Sequence, residues 1–291
     1  MHNNRARLSI IAAMAIWGTI GLFVRAISVS SAELALYRAV IAAILLSGYF
    51  LISKTRIDLK EIGKELPLLL LSGMAMGVNW ILLFEAYKYT TVSVATLSYY
   101  FAPVIVTVVC PILFKEKMRK LQWLCFGMST LGLALITGLG DLSAGSSHLV
   151  GIAFGLGAAV LYASVMLLNK SIKGVSGLQR TYLQFLAAIV ILLPYVLCTS
   201  GFSLQRLDAP GWVNLLIVGV VHTGIAYCLY FPALKEVPGQ EAAILSYIDP
   251  LLAVVVSVTL LGESMTPVQL IGGALILGFT LLNELYPHKR S

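Results

Sequence analysis

Charge is scarce in this chain. Asp and Glu number 13 and Lys and Arg 20 in 291 residues, so 11% of the chain is charged while 59% is hydrophobic. A soluble domain carries about 25% charged residues, and a disordered chain is poor in apolar ones, so the composition excludes both classes. Cysteine is scarcer still. Cys110, Cys125, Cys198 and Cys228 are the whole complement, too few for a secreted disulfide framework and without metal-site spacing. They read as small buried hydrophobes, and neither a metal nor a cofactor is expected. The sequence also lacks the G-x-x-x-x-G-K-[ST] phosphate loop, a G-x-S-x-G elbow and an H-E-x-x-H helix. Gly155–Ala159 reads GLGAA, an echo of a dinucleotide loop, but an apolar helical run precedes it in place of the strand such a loop needs. No second catalytic group stands at a recognisable spacing from His222 or Asp249, so the chain is not read as an enzyme.

What the chain has is apolar runs of the length that crosses a bilayer, about 20 residues each. Ten fall at 8–27, 33–52, 66–87, 92–113, 121–139, 149–169, 178–198, 212–233, 240–261 and 267–285, joined mostly by short polar loops. The fold class expected is an all-α membrane protein of ten transmembrane helices. Arg5 and Arg7 lead directly into the first run, which reads as a retained helix rather than a cleaved signal.

The net charge of +7 sits in the loops, where it orients the chain and does not bind nucleic acid. With the N-terminus inside, the inner segments hold Lys54, Arg56, Lys60 and Lys64, the Lys115–Lys120 cluster and both basic chain ends. The outer segments hold only Arg25, Lys88 and Arg206. Cytoplasmic loops collect Lys and Arg, so both termini are expected in the cytoplasm, with the protein in the inner membrane of a prokaryote.

The chain also repeats itself. LSYYFAP at 97–103 recurs as LSYIDP at 245–250, and a matching glutamate follows each proline, Glu116 in KEKM and Glu263 in GESM. Gln122 and Gln269 then open the next runs, and Lys88 aligns with Lys235. Two five-span units are expected, 1–140 and 149–291. Five is odd, so the copies should sit in opposite orientations, with Glu116 inside and Glu263 outside. Inverted repeats with a midplane site between them are a signature of secondary transporters.

These residues carry a family resemblance. The five-plus-five plan, AIWGTIGLFVR at 15–25, ELALYR at 33–38 and the two copies of L-S-Y…P…E resemble the EamA-like repeat of the drug/metabolite transporter superfamily. The resemblance covers essentially the whole chain and is specific for the fold, not the substrate. It implies export of an amino acid, a related amine or an organic cation without ATP.

Ionisable groups within a membrane are costly and ask for a partner or a role. Asp249 lies midway along span nine, directly before Pro250, whose missing N–H can open the helix. It suits an ammonium group or a proton, or else is satisfied by neighbouring helices. His222 lies mid-span between Gly219 and Gly224 and titrates near neutrality, a candidate for proton coupling or a hydrogen-bonded core histidine. Glu85 and Lys88 share a helix face and either neutralise each other or mark an outer mouth. Arg38 either snorkels, pairs with Glu33 or Glu85, or meets a substrate carboxylate. Trp17, Asn79, Trp80, Tyr99, Tyr227 and Tyr247, together with Tyr100, Tyr162 and Tyr230, fall within spans rather than at interfacial belts. They are expected to line an amphipathic cavity with Asp249. The partners expected are a small-molecule substrate, the bilayer and a coupling proton, for a monomer or a homodimer. An organic-cation exporter, a channel and a non-transporting scaffold are the alternatives.

Overall fold

The computed structural model describes residues 2–54, 59–114, 120–136, 146–175 and 177–285. They form helices His2–Gly18 (α1), Ile20–Arg25 (α2), Ser31–Ile52 (α3), Leu59–Tyr89 (α4), Val92–Tyr99 (α5), Ala102–Phe114 (α6) and Lys120–Ile136 (α7). The second half holds Ser146–Ser171 (α8), Gly177–Cys198 (α9), Ala209–Leu216 (α10), a π-helical stretch Ile217–Ile225, Ala226–Leu234 (α11), Gly239–Ser246 (α12), Ile248–Thr259 (α13) and Pro267–Leu285 (α14). Among the described residues there is no strand. Glu116, the expected mate of Glu263, lies outside the described residues. So do residues 137–139 of the fifth expected span, residues 140–145 of the linker after it, and Arg56, Lys115, Lys117, Arg119, Lys289 and Arg290 of the basic segments.

Each expected span coincides with a helical stretch. Eight are long and apolar enough to cross a membrane, while Lys120–Ile136 and Ile244–Thr259 are shorter apolar helices. The helix starts follow capping chemistry. Ser30 and Glu33 form a reciprocal capping box at α3, and Thr266 with Gln269 repeats it before Pro267 at α14.

Three spans are broken and one is underwound into a π-helical stretch. Span four is interrupted at Tyr100–Phe101, between α5 and α6, and span nine at Tyr247, between α12 and α13. In each copy the proline, Pro103 or Pro250, lacks the N–H that would bond the carbonyl four residues back. The chain tightens into short-range bonds instead, Phe101 N–H to Ser98 O (3.2 Å) and Tyr247 N–H to Ile244 O (3.2 Å). Span one breaks at Thr19, whose hydroxyl donates to Ile16 O (2.7 Å). In span eight the Thr223 hydroxyl bonds Val218 O, five residues back (2.9 Å), the spacing that a π-helical stretch presents.

Packing joins the two halves throughout. α4 packs on α8 and α9, α11 and α13 pack on α1, and α3 packs on α9 and on the π-helical stretch. α5 meets α13, α6 meets α8, and α7 meets α14. Glycine permits the closest crossings: a Cβ on Gly73 would lie 2.5 Å from Ala187 Cβ in α9, and one on Gly219 would lie 2.6 Å from Ile41 in α3. The cysteines only partly follow expectation. Cys125 is buried, Cys228 half-buried and Cys198 exposed, because Cys198 closes α9 at its free end; the side chain of Cys110 lies outside the described residues.

Candidate functional site

The broken spans converge on a cavity of about 510 Å³, within the usual range for small-ligand sites. Its walls come from both halves: Trp17 and Gly18 of α1, Arg38 of α3, Asn79 and Trp80 of α4, and Tyr99 and Tyr100 at the first break. Tyr162 of α8, Tyr227 and Tyr230 of α11, and Tyr247 and Asp249 at the second break complete them.

Asp249 owes its setting to the break in span nine. The interruption at Tyr247 starts a new helix, and Asp249 falls in its first turn, where free backbone N–H groups favour negative charge. The Tyr100 hydroxyl from the matching break donates to its carboxylate (2.6 Å). Gly18 lets α1 cross at this point, because a Cβ there would lie 2.6 Å from Asp249 O. The only side-chain bond to Asp249 among the described residues is thus from a neutral phenol.

Arg38 is 5% exposed. Its Nε donates to the Thr223 hydroxyl (2.7 Å), and the guanidinium lies 4.4 Å from the Trp80 ring centroid. Neither expected carboxylate reaches it. Glu33 is taken by Ser30, Tyr37 and Ser203, and Glu85 by Ser31 and by Lys88 at 2.8 Å. Among the described residues Arg38 therefore has no carboxylate partner. Its charge is turned inward to the cavity rather than outward to the interface.

The aromatic set is brought together. Trp17 meets Tyr227 edge-on (5.0 Å) and Tyr230 likewise (5.3 Å), and Tyr99 lies against Tyr162 (5.1 Å). The Trp17 indole N–H is spent on His222 O (2.8 Å), which leaves its ring to the cavity. Asn79 bonds Ala158 O (2.6 Å).

Two of the residues singled out in the sequence lie outside this cavity. His222 is buried in the π-helical stretch, with Nε2 on the Thr19 hydroxyl (3.0 Å), Nδ1 on Ile217 O (3.3 Å) and its ring against Phe23 (4.9 Å). It fastens the break in span one to the π-helical stretch. Glu85, with Lys88, lies near a second cavity of about 230 Å³ lined by Arg25, Ser28, Ser31, Tyr87 and Lys88. At that end the spans are stitched together. Glu263 takes Arg25, the Ser257 hydroxyl and Val92 N–H (2.8 Å), while Arg25 also donates to Tyr87 O (3.0 Å) and Thr90 O (2.7 Å). Arg7 pairs with Glu241 between α1 and α12.

Several cavity residues were not singled out in the sequence. Gln184 bonds both Ser72 and Asn169 (2.7 Å each). Arg180 donates to Asn169 O (3.3 Å) and Ile172 O (3.4 Å). Glu284, one residue from the end of α14, also lines the cavity. Its signal was an acid inside the apolar run LLNELY at 281–286, but a position so near the end of a span reads as an interfacial charge.

An all-helical, multi-pass membrane protein with interrupted helices around a central polar and aromatic cavity has the design of a membrane transporter. Residues 4–138 and again 149–284 match the EamA-like transporter family. The chain belongs to that family, part of the drug/metabolite transporter superfamily. It is similar to the uncharacterized transporter YxxF of Bacillus subtilis, 28% identical over 90% of this chain and 83% of the relative. An uncharacterized transporter of Archaeoglobus fulgidus is 32% identical over 68% of each chain. The threonine/homoserine exporter RhtA of Escherichia coli is 26% identical over 78% of this chain and 74% of its own. One solved crystal structure shares the fold at a TM-score of 0.67 and 18% identity, over 97% of this chain and 99% of the other.

Proposed function

We propose that this protein is a secondary transporter that exports a small amino acid, or a related amine, across the inner membrane of a prokaryote. The observation that carries the reading is the presence of two opposite, mutually unpaired charges, Arg38 and Asp249, on one aromatic-walled cavity. Arg38 takes the substrate carboxylate through a charge-assisted hydrogen bond, and Asp249 takes its ammonium group, with a proton on that carboxyl when the cavity is empty. Trp17, Trp80, Tyr99, Tyr227 and Tyr247 fit the remainder of the molecule, and Asn79 holds α4 against α8. The relationship to a threonine/homoserine exporter supports this choice. A purely cationic substrate would leave the charge of Arg38 unanswered, which makes it the weaker reading.

Movement is by alternating access between two inverted five-helix repeats with both termini cytoplasmic. The packing of α4 on α8 beside that of α11 on α1, the packing of α6 on α8 beside that of α13 on α1, and the asymmetry of basic residues between loops support that arrangement. In this orientation the Arg25–Glu263 cluster closes the outer end and must part for release. The experiment is amino-acid flux in proteoliposomes for the full-length protein and Asp249→Asn. The variant is expected to insert and purify normally while losing flux or its response to a pH gradient. Wild-type flux in Asp249→Asn would overturn the assignment.

A further inference from the structure

We infer that the cavity is built for an amino acid carrying a second, side-chain cation, of the lysine or ornithine kind, and that Glu284 holds that group. The inference rests on the amino-acid reading above and narrows it. Among the described residues the charged side chains on the cavity wall are Arg38, Arg180, Asp249 and Glu284. Arg180 is answered in part: one guanidinium nitrogen donates to two carbonyls at the C-terminal end of α8, the negative pole of that helix, and Glu65 acts on it electrostatically, while its Nε makes no hydrogen bond among the described residues. The other three are unanswered among the described residues. Arg38 has no carboxylate, Asp249 has only the phenol of Tyr100, and Glu284 has neither a hydrogen bond nor an ion pair.

One guanidinium and two carboxyl groups therefore face the cavity without an ionic partner among the described residues. Unpaired charges removed from water are costly, and the molecule that complements this set carries one carboxylate and two cationic groups. A neutral amino acid satisfies Arg38 and Asp249 and leaves Glu284 alone. The surroundings of Glu284 suit an ammonium or guanidinium group. Tyr162, Tyr230 and Tyr247 line the same cavity and lie within electrostatic reach of its carboxylate. The faces of such rings attract cations. The Tyr247 hydroxyl is buried at the cavity wall with the Thr280 hydroxyl beside it, a second polar group next to the carboxylate.

The test compares lysine with norleucine, which has the same side-chain carbons and lacks the terminal ammonium. Both are titrated against the purified full-length protein. The wild type is expected to bind lysine at least about tenfold tighter, as a charge-assisted contact implies. Glu284→Gln should bring the two within about twofold, Glu284→Asp should keep part of the preference, and Tyr247→Phe should reduce it. If Glu284→Gln does not purify as a single species, the last two variants decide by the same readout. Norleucine binding as tightly as lysine in the wild type, or a lysine preference that survives these substitutions in full, overturns the inference and leaves the amino-acid reading standing. Binding of neither compound also overturns the inference, while the amino-acid reading is overturned only by the flux experiment above.

Discussion

Arg38→Met separates a substrate-binding arginine from a structural one, because the two roles move stability and affinity in different directions. The arginine is 5% exposed with no carboxylate partner among the described residues. Its side chain gains a hydrogen bond to Thr223, worth about 1.5–3 kcal/mol when one partner is charged, and a stack on Trp80 worth about 0.5–2 kcal/mol. Against these stands the desolvation of an unpaired ion, several kcal/mol. Methionine keeps the apolar stem. It also leaves Thr223 satisfied, because that hydroxyl already bonds Val218 O at 2.9 Å. The gains and the penalty nearly cancel, so the unfolding temperature of the purified protein should stay level or rise. Affinity for an amino acid should fall by roughly ten- to hundredfold, the loss of one charge-assisted contact. Thermal unfolding followed by intrinsic fluorescence, with and without substrate, reads both quantities. A variant that unfolds several degrees earlier yet binds as tightly as the wild type would refute the reasoning and make Arg38 a brace.

Two further outcomes follow from the geometry. Gly18→Val places side-chain atoms where a Cβ alone would sit 2.6 Å from Asp249 O and 2.9 Å from Leu252 Cβ. It should cost about 1–3 kcal/mol of stability through overpacking and lower flux, whereas Gly48→Val, with nothing within 4 Å of its Cβ, should do neither. Glu263→Gln removes the anion that gathers Arg25, Ser257 and Val92. A cysteine placed at buried Val92 should then react several-fold faster with an impermeant thiol reagent added outside, and an unchanged rate would show that Glu263 does not hold that end closed.

The positions of the helices were legible in the sequence because a bilayer demands long apolar runs. The breaks in spans four and nine were legible at Pro103 and Pro250. Proline was not sufficient by itself, since Pro67, Pro194 and Pro232 sit inside unbroken helices. What sets the broken spans apart is that both breaks pack at one place, where Tyr100 reaches Asp249. The rotation of each helix about its own axis was less legible. Lipid and protein interior are both apolar, so the stripe that orients a helix in water is faint here. His222 shows the consequence. It stands mid-span between glycines, as a cavity residue would, yet it faces Thr19 and Phe23. The π-helical stretch that turns it there has the same apolar sequence as a regular helix, and its mark, a side-chain bond to a carbonyl five residues back, exists only in the folded chain. The aromatic set was read more fully, because Trp and Tyr away from the interfacial belts need polar surroundings wherever they point. Glu33 was one of the partners open to Arg38 in the sequence, but the capping box at Ser30 and the Ser203 hydroxyl claim it first.

The most direct test of the central claim is counterflow in proteoliposomes of the full-length wild type, loaded in turn with unlabelled amino acids and given the labelled compound outside. A carrier whose cavity binds amino acids through Arg38 and Asp249 predicts saturable uptake that rises when the same amino acid fills the lumen. Flux that neither saturates nor responds to the internal amino acid, or no flux of any amino acid, would contradict it.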